Sequence, residues 1–574
     1  DGLLDHIRTG DNVVWRVRSI EEFRYFAKLF ARQAVKDGRN LIYMRFASHE
    51  PILEPEPGIK ICEFDPDKGF EAFTVDIYNC ITREGREAFY VFDSLSSLQS
   101  VWYTDLMMGN FFRVTCPYLF KLDTVAYFPL LRGKHSFHTV SRIRDTTQLL
   151  LDVHSGEELY LHPLKVWNRY TPRMFLPHCM DPGSGKFRAV EDGVSMSRYY
   201  QLLEEEEIQE QDQSLDSYDR FFSMARMEYR QGRFSERIQQ QIVESTMTKD
   251  PRLQEMIKEY FDPRDYFLLR DRMAGSGSIG GKACGMLLAR KIVQTRLPWG
   301  RKYLEPHDSY YIGSDVFYTY IVSNNCWEIR IAQRTEEGYF AKAEDLRKAL
   351  LSGEFPADIR EKFRSVLEYF GQSPIIVRSS SFQEDGFGNA FAGKYESVFC
   401  VNQGTPKERM REFEQAVRRV YASTMDPSAL QYRRQRGLEG KDEQMAVLVQ
   451  RVSGSYQGDY FFPAAAGVGY SYSAYRWRKD MDPSAGLLMI VAGLGTRALD
   501  RTERDYPRLA GLDRPEMSMH VTAADKHRFC QRNMDVLDIR GNCLKTVLTE
   551  ELLDQIPLWL KKEVMERDYE AEDA

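Results

Sequence analysis

The chain has 574 residues, of which 43% are hydrophobic and 28% charged, with a formal net charge of −7. That length is too great for one hydrophobic core and implies several domains. The mild acidity lacks the basic surplus of a nucleic-acid-binding surface, and no run approaches the ~18 apolar residues of a membrane span. The longest apolar stretch, Gly486 to Gly495, is expected to be a core segment. The nine cysteines form no C-x-x-C pair and the ten histidines no H-x-x-x-H pair. This argues against a zinc site and for reduced, mostly buried thiols in a cytoplasmic protein. The chain opens at Asp1 without a signal-peptide pattern.

In chain order, strands are expected at 12–17, 41–46, 88–93, 124–130, 147–153 and 159–167, and helices at 20–35, 69–81 and 101–112. Strands separated by helices predict a mainly parallel sheet covered on both faces over residues 1–180. Gly183-Ser184-Gly185-Lys186 mimics a phosphate loop, but Pro177 and Pro182 break any preceding strand, so a linker is expected. Residues 181–262 form a polar linker and helical segment. There the acidic run Glu204 to Glu207 is most simply a solvated face, and Tyr218, Phe221, Phe222, Ala225 and Tyr229 form a packing stripe. Residues 263–574 form the last unit, also α/β, with an amphipathic helix expected from Leu548 to Tyr569.

Two stretches carry chemistry. At 275–285 a glycine loop runs into a helix reaching about Arg296. It lacks the strand and ribose-binding acid of a dinucleotide fold, and it fails the Walker A pattern because Ala283 stands where Ser or Thr is needed. What remains, glycines, a helix N-terminus and Lys282, still suits an anion. The second stretch, Pro374 to Val401, places Arg378 and Ser379-Ser380-Ser381 after an apolar strand, followed by Glu384-Asp385 and a turn with Gly386 and Gly388. On residue chemistry alone it fits equally a polyphosphate grip or a polar turn in which Arg378 pairs with Glu384.

Taken together, Gly280-Gly281-Lys282-Ala283, Val377-Arg378-Ser379-Ser380, Glu384-Asp385, Phe391-Ala392-Gly393, the helical segment from Ala416 to Gly437, and Met445 to Val452 resemble the nucleotide-binding domain of the pyruvate phosphate dikinase and phosphoenolpyruvate synthase family. The likeness spans roughly 265–510. It implies an ATP-grasp fold of two α/β lobes that closes on ATP with Mg2+. Lys282 and Arg378 would then hold phosphates beside Gly280 and Gly281, Ser379 and Ser380 would help position them, and the strand at Val449-Gln450 would hydrogen-bond adenine through its backbone. The family's GLGE loop appears as Gly493-Leu494-Gly495-Thr496, and its D-x-E and Q-x-R motifs are not found before Ala574. Its phospho-histidine and pyruvate-binding domains are not found either. The metal ligands are therefore unknown; Asp500, Glu503 and Asp505 are candidates, with surface charge the simpler account. The expectation is an ATP-binding phosphotransferase module, served by a separate or downstream phospho-histidine domain. The alternative is a non-catalytic nucleotide-binding regulator or scaffold.

Residues 1–178 more weakly resemble RecA-like ATPases. Asp93-Ser94-Leu95-Ser96 is similar to a Walker B region, and the opening Gly2 to Asn12 to the lead-in of the circadian-clock branch. Where a phosphate loop belongs, however, the chain has Arg18-Ser19-Ile20-Glu21-Glu22-Phe23, which builds no cradle. A scaffold or sensor is expected there, with Asp93 structural. A ligand-binding role without a phosphate loop is a further reading, for which the sequence offers no residue set.

Overall fold

The computed structural model describes residues 3–207, 213–306, 308–384, 391, 393–476, 479–499, 505–520, 522–552 and 554–565. Nine strands, β1 (Asn12–Val17), β2 (Leu41–Arg45), β3 (Ile59–Glu63), β4 (Phe89–Phe92), β5 (Val125–Leu131), β6 (Leu149–Ser155), β7 (Leu159–Val166), β8 (His178–Met180) and β9 (Phe187–Ala189), form one sheet ordered β3-β2-β4-β5-β1-β6-β7-β8-β9. The β3 to β6 part is parallel and the rest antiparallel. Helix Ile20–Lys36 covers one face, where Phe26 stacks on Trp15 at 4.4 Å. Helices Phe70–Glu84, Leu106–Lys121 and Phe137–Thr146 cover the other. With both faces buried, the parallel strands are nearly continuous apolar runs, as β5 shows.

Several local expectations change. The helix expected at 101–112 is interrupted: a short turn, Gln99–Trp102, stops at left-handed Tyr103 (φ +60°), and the next helix starts at Leu106. The β3 strand, missed in the sequence, is a half-exposed edge whose Ile-Lys-Ile-Cys-Glu pattern carries little apolar signal. The segment 183–186 is not a linker but the turn joining β8 to β9, closed by Gly185 N–H donating to Asp181 O (2.8 Å), so the sheet continues past residue 180.

Asp93 follows β4 and is fully buried. Its carboxylate accepts from Tyr43 Oη, Arg45 Nη1 (2.7 Å), Phe46 N (2.9 Å) and Ala47 N (2.9 Å). Four donors occupy its lone pairs, which suits a structural anchor rather than a metal ligand. Asp93→Asn presents an amide to donors and should lower unfolding free energy by about 2 kcal/mol. Chemical denaturation checks this, and an unchanged midpoint would contradict the anchoring role.

A second sheet comprises β10 (Met273–Ala274), β11 (Ser309–Ile312), β12 (Ile375–Ser381), β13 (Ser397–Cys400) and β14 (Met445–Arg451), ordered β10-β11-β14-β12-β13. The remaining strands are β15 (Ser455–Gln457), β16 (Tyr460–Phe462), β17 (Ala466–Tyr470), β18 (Leu487–Val491), β19 (Arg508–Gly511), β20 (Asn533–Asp538) and β21 (Cys543–Leu548). They form a four-stranded sheet, β15-β16-β20-β21, and a three-stranded one, β17-β18-β19. The long helix expected from Leu548 is replaced by the end of β21, a 3-10 turn at Thr549–Leu552 and a short helix, Leu558–Val564, begun after Pro557. Proline fixes that boundary because it supplies no N–H for a continuing helix.

One apolar core runs through both halves of the chain. Helix Ser314–Ser323 packs on Leu106–Lys121, with Asn110 Nδ2 donating to Thr319 Oγ1 (3.0 Å). Asp442 caps the Phe70–Glu84 helix from 371 residues away in sequence, accepting from Glu71 N and Ala72 N at 2.9 Å each. Gly69 permits that approach: a Cβ there would stand 2.3 Å from Asp442 Oδ2. Among the described residues no helix is long and apolar enough to cross a membrane.

Candidate nucleotide site

The glycine loop after β10 leads into the helix Gly281–Arg296. Ser276 Oγ donates to the buried Asp315 carboxylate (2.9 Å), and Gly280 N–H to Ser278 Oγ (3.0 Å), which fixes the loop's course. Burial pushes the Asp315 carboxyl up to about 7. The loop then presses on the end of β12. A Cβ on Gly280 would fall 1.5 Å from Ser380 O, and one on Gly281 1.7 Å from Glu384 O. Only glycine fits at either position, and Gly280 also has φ +81°.

This contact places the helix N-terminus on the serine run. Ala283 N–H donates to Ser380 Oγ (3.0 Å), which in turn donates to Ile279 O (2.8 Å). Lys282 Nζ donates to Ser379 Oγ (3.1 Å) and pairs with Glu384 Oε1 at 2.6 Å. Glu384 is held by Ser379 Oγ (3.0 Å) and Ser381 N (3.0 Å). The carboxylate opposite Lys282 was legible only as a candidate partner of Arg378. Arg378 Nη1 instead donates to Gln450 Oε1 (3.2 Å), and Gln450 Nε2 to Met286 Sδ (3.0 Å). Lys282 and Met286 stand four residues apart and so share one face of their helix. The lysine and arginine clusters are therefore neighbours along β12, on consecutive residues Arg378 and Ser379.

Val449 is placed differently from the adenine-binding expectation. β14 is an interior strand: Val449 pairs with Tyr310 on β11 and Val377 on β12, and Gln450 with Ser309 and Ile376. With antiparallel partners on both sides, the backbone polar groups there are committed to the ladder. Gln450 offers its side chain, and the backbone leaves the sheet only after Arg451, where Val452 N–H bonds Pro374 O (2.9 Å). Phe391 is buried, stacked on Tyr395 at 5.1 Å. Asp385, Gly386, Gly388, Ala392, Asp500 and Glu503 lie outside the described residues.

On the second lobe Asp505 is buried rather than surface charge. It accepts from Arg532 N (2.6 Å), Asn533 Nδ2 (2.7 Å) and Arg497 Nη1 (2.7 Å). Thr496, in the acid position of the GLGE-like loop, donates to Asp535 Oδ2 (2.6 Å), and Asp535 also pairs with Arg497 Nε (3.0 Å). Asp505 and Asp535 share the guanidinium of Arg497, and no group of three or more His, Cys, Asp or Glu among the described residues has metal-site geometry.

A glycine loop, a helix N-terminus and a basic strand end define a nucleotide-binding α/β domain of the ATP-grasp kind. The family model for the pyruvate phosphate dikinase AMP/ATP-binding domain matches residues 276–566, and the chain belongs to that family. The match runs past residue 510 to take in β20, β21 and the short C-terminal helix. Rifampicin phosphotransferase of Bacillus cereus is 27% identical over 171 residues, which is 29% of this chain and 18% of that protein.

Proposed function

We propose that the C-terminal half is the ATP-binding phosphotransferase module of a dikinase-type reaction. Lys282 and Arg378 hold the ATP phosphates, Gly280 and Gly281 admit them to the helix N-terminus, and Ser379 and Ser380 position the two cations. Gln450 contacts adenine through its side chain, and the backbone contact falls beyond Arg451 rather than at Val449. The observation that carries this reading is the joining of the Gly281–Arg296 helix to the end of β12 through Lys282, Ser379 and Ser380. Cationic donors held in place offset the charge of a transferring phosphoryl group. A phospho-histidine domain is the proposed acceptor, and the nine-stranded domain a RecA-like scaffold in which Glu22 Oε2 accepts from Arg18 N (2.7 Å) where a phosphate loop would cradle its ligand.

The reading is tested by titrating ATP into wild type and Arg378→Ala, for which a loss of about tenfold or more in affinity is expected. Equal affinity, or no binding by either, overturns it. A second reading, a nucleotide-binding regulator without turnover, draws on Thr496, which stands in the acid position of the GLGE-like loop and donates to Asp535. Incubation with Mg-ATP and pyruvate, with and without a phospho-histidine carrier domain, separates the two, since AMP formation excludes the regulator.

A further inference from the structure

We propose that the side-chain cluster beyond the carboxyl ends of β1 and β5 is a binding site for a small phosphate-type dianion, occupied in this conformation by the side chain of Glu206. β1 and β5 are adjacent and parallel, yet the helices that follow them pack on opposite faces of the sheet. A parallel sheet opens a crevice at such a switch point, beyond the carboxyl ends of its strands, and ligands bind there. Arg132 follows β5 at this point, tied to the end of β1 by its N–H to Val17 O (2.8 Å).

Three side chains converge beyond these strand ends. Arg132 Nη1 donates to Glu206 Oε2 at 2.8 Å, and His154 Nδ1 lies 2.7 Å from the same oxygen. The Arg132, His154 and Glu206 side chains are only 7%, 4% and 8% exposed. Glu206 belongs to the run expected to be solvated, but it points inward from helix Gly193–Glu207. The fit is incomplete: Arg132 Nε and Glu206 Oε1 are both buried without a hydrogen-bond partner. One carboxylate oxygen here meets both Arg132 and His154, Arg132 Nη1 also lies against His154 Nδ1, and Arg132 Nε is left unused. A tetrahedral oxyanion has acceptors for Nη1, Nε and the imidazole together. Asp152, paired with Arg16 at 3.3 Å, and Glu22 face the same region. Their charge favours a single phosphate group over a polyphosphate.

The probe is inorganic phosphate, titrated calorimetrically into the full chain. Glu206→Gln should bind it about tenfold more tightly than wild type, because the internal competitor is gone. That gain should vanish in Glu206→Gln/Arg132→Gln. Should the second substitution disturb folding, as read by near-ultraviolet circular dichroism, Glu206→Gln/His154→Gln should show the same loss. Affinity of Glu206→Gln within about twofold of wild type, or a gain that survives loss of Arg132 or His154, overturns the proposal. Any phosphate bound at the Lys282 site is common to all variants, so the outcome is independent of the nucleotide reading.

Discussion

Lys282→Ala should lower ATP affinity by roughly 10- to 100-fold and destabilise the protein in the same step. The affinity loss is that of one charge-assisted contact to phosphate, about 1.5–3 kcal/mol. The stability loss has a separate origin. Glu384 is 3% exposed, and among the described residues removing Lys282 leaves its carboxylate with Ser379 Oγ and Ser381 N as donors. Breaking a buried pair costs about 3–5 kcal/mol, and because Lys282 is itself 18% exposed, solvent reduces this to about 2 kcal/mol. The two effects separate in the double variant Lys282→Ala/Glu384→Gln, whose neutral amide no longer needs a cation. Its denaturation midpoint should recover while its ATP affinity stays low, as titration calorimetry and urea unfolding on the same preparations would show. Recovery of affinity together with stability would mean that Lys282 acts through folding alone.

That double role could not be read from the sequence, although the residues could. The glycine loop, Lys282 and the Arg378 serine run stand out because each is a short local pattern with a chemical reason for its residue types. Which carboxylate meets which cation depends on how the strand end turns, and β12 turns Glu384 toward Lys282 and Arg378 toward Gln450. Val449 illustrates a different limit. Its apolar run marks a strand, but only the order β11-β14-β12 shows that both edges are taken. The parallel core of the first sheet was legible because strands buried on both faces are continuously apolar. The edge strand β3 was not, since exposure erases that signal. Glu206 looked like solvent-facing charge because its partners, Arg132 and His154, lie 74 and 52 residues away in sequence. The Asp442 cap is equally invisible, as a helix N-terminus ordinarily takes its capping residue from its own sequence.

The junction built around that cap should be the most sensitive point for stability. Glu71→Ala should lower unfolding free energy by about 3–5 kcal/mol, because it removes the carboxylate paired with the buried Arg330 and leaves Arg334 with Asp442 Oδ1 at 3.8 Å. Glu71 is fully buried; Arg330 pairs with it through Nε and donates Nη2 to Oε2 (3.2 Å), and Arg334 Nη1 lies 3.0 Å from Oε2. Burial pushes the Glu71 carboxyl up, but Arg330 and Arg334 outweigh it and hold it at about 2. Because the folded pKa lies below the ordinary 4.5, the stabilisation is complete above about pH 4.5 and disappears as pH falls through 2. Asp442 shifts the other way, raised first by burial and then by the Glu71 charge to about 7, so its contribution is lost as pH rises through 7. The deficit of Glu71→Ala should therefore be largest near pH 6 and shrink below pH 4.5. Glu71→Gln, which keeps an acceptor but no charge, should fall between the variant and wild type. Guanidinium titrations at both pH values measure these differences. A deficit that does not change between them would show that Glu71 acts by packing rather than by charge, although the helix it begins spans the contact between the two halves of the chain.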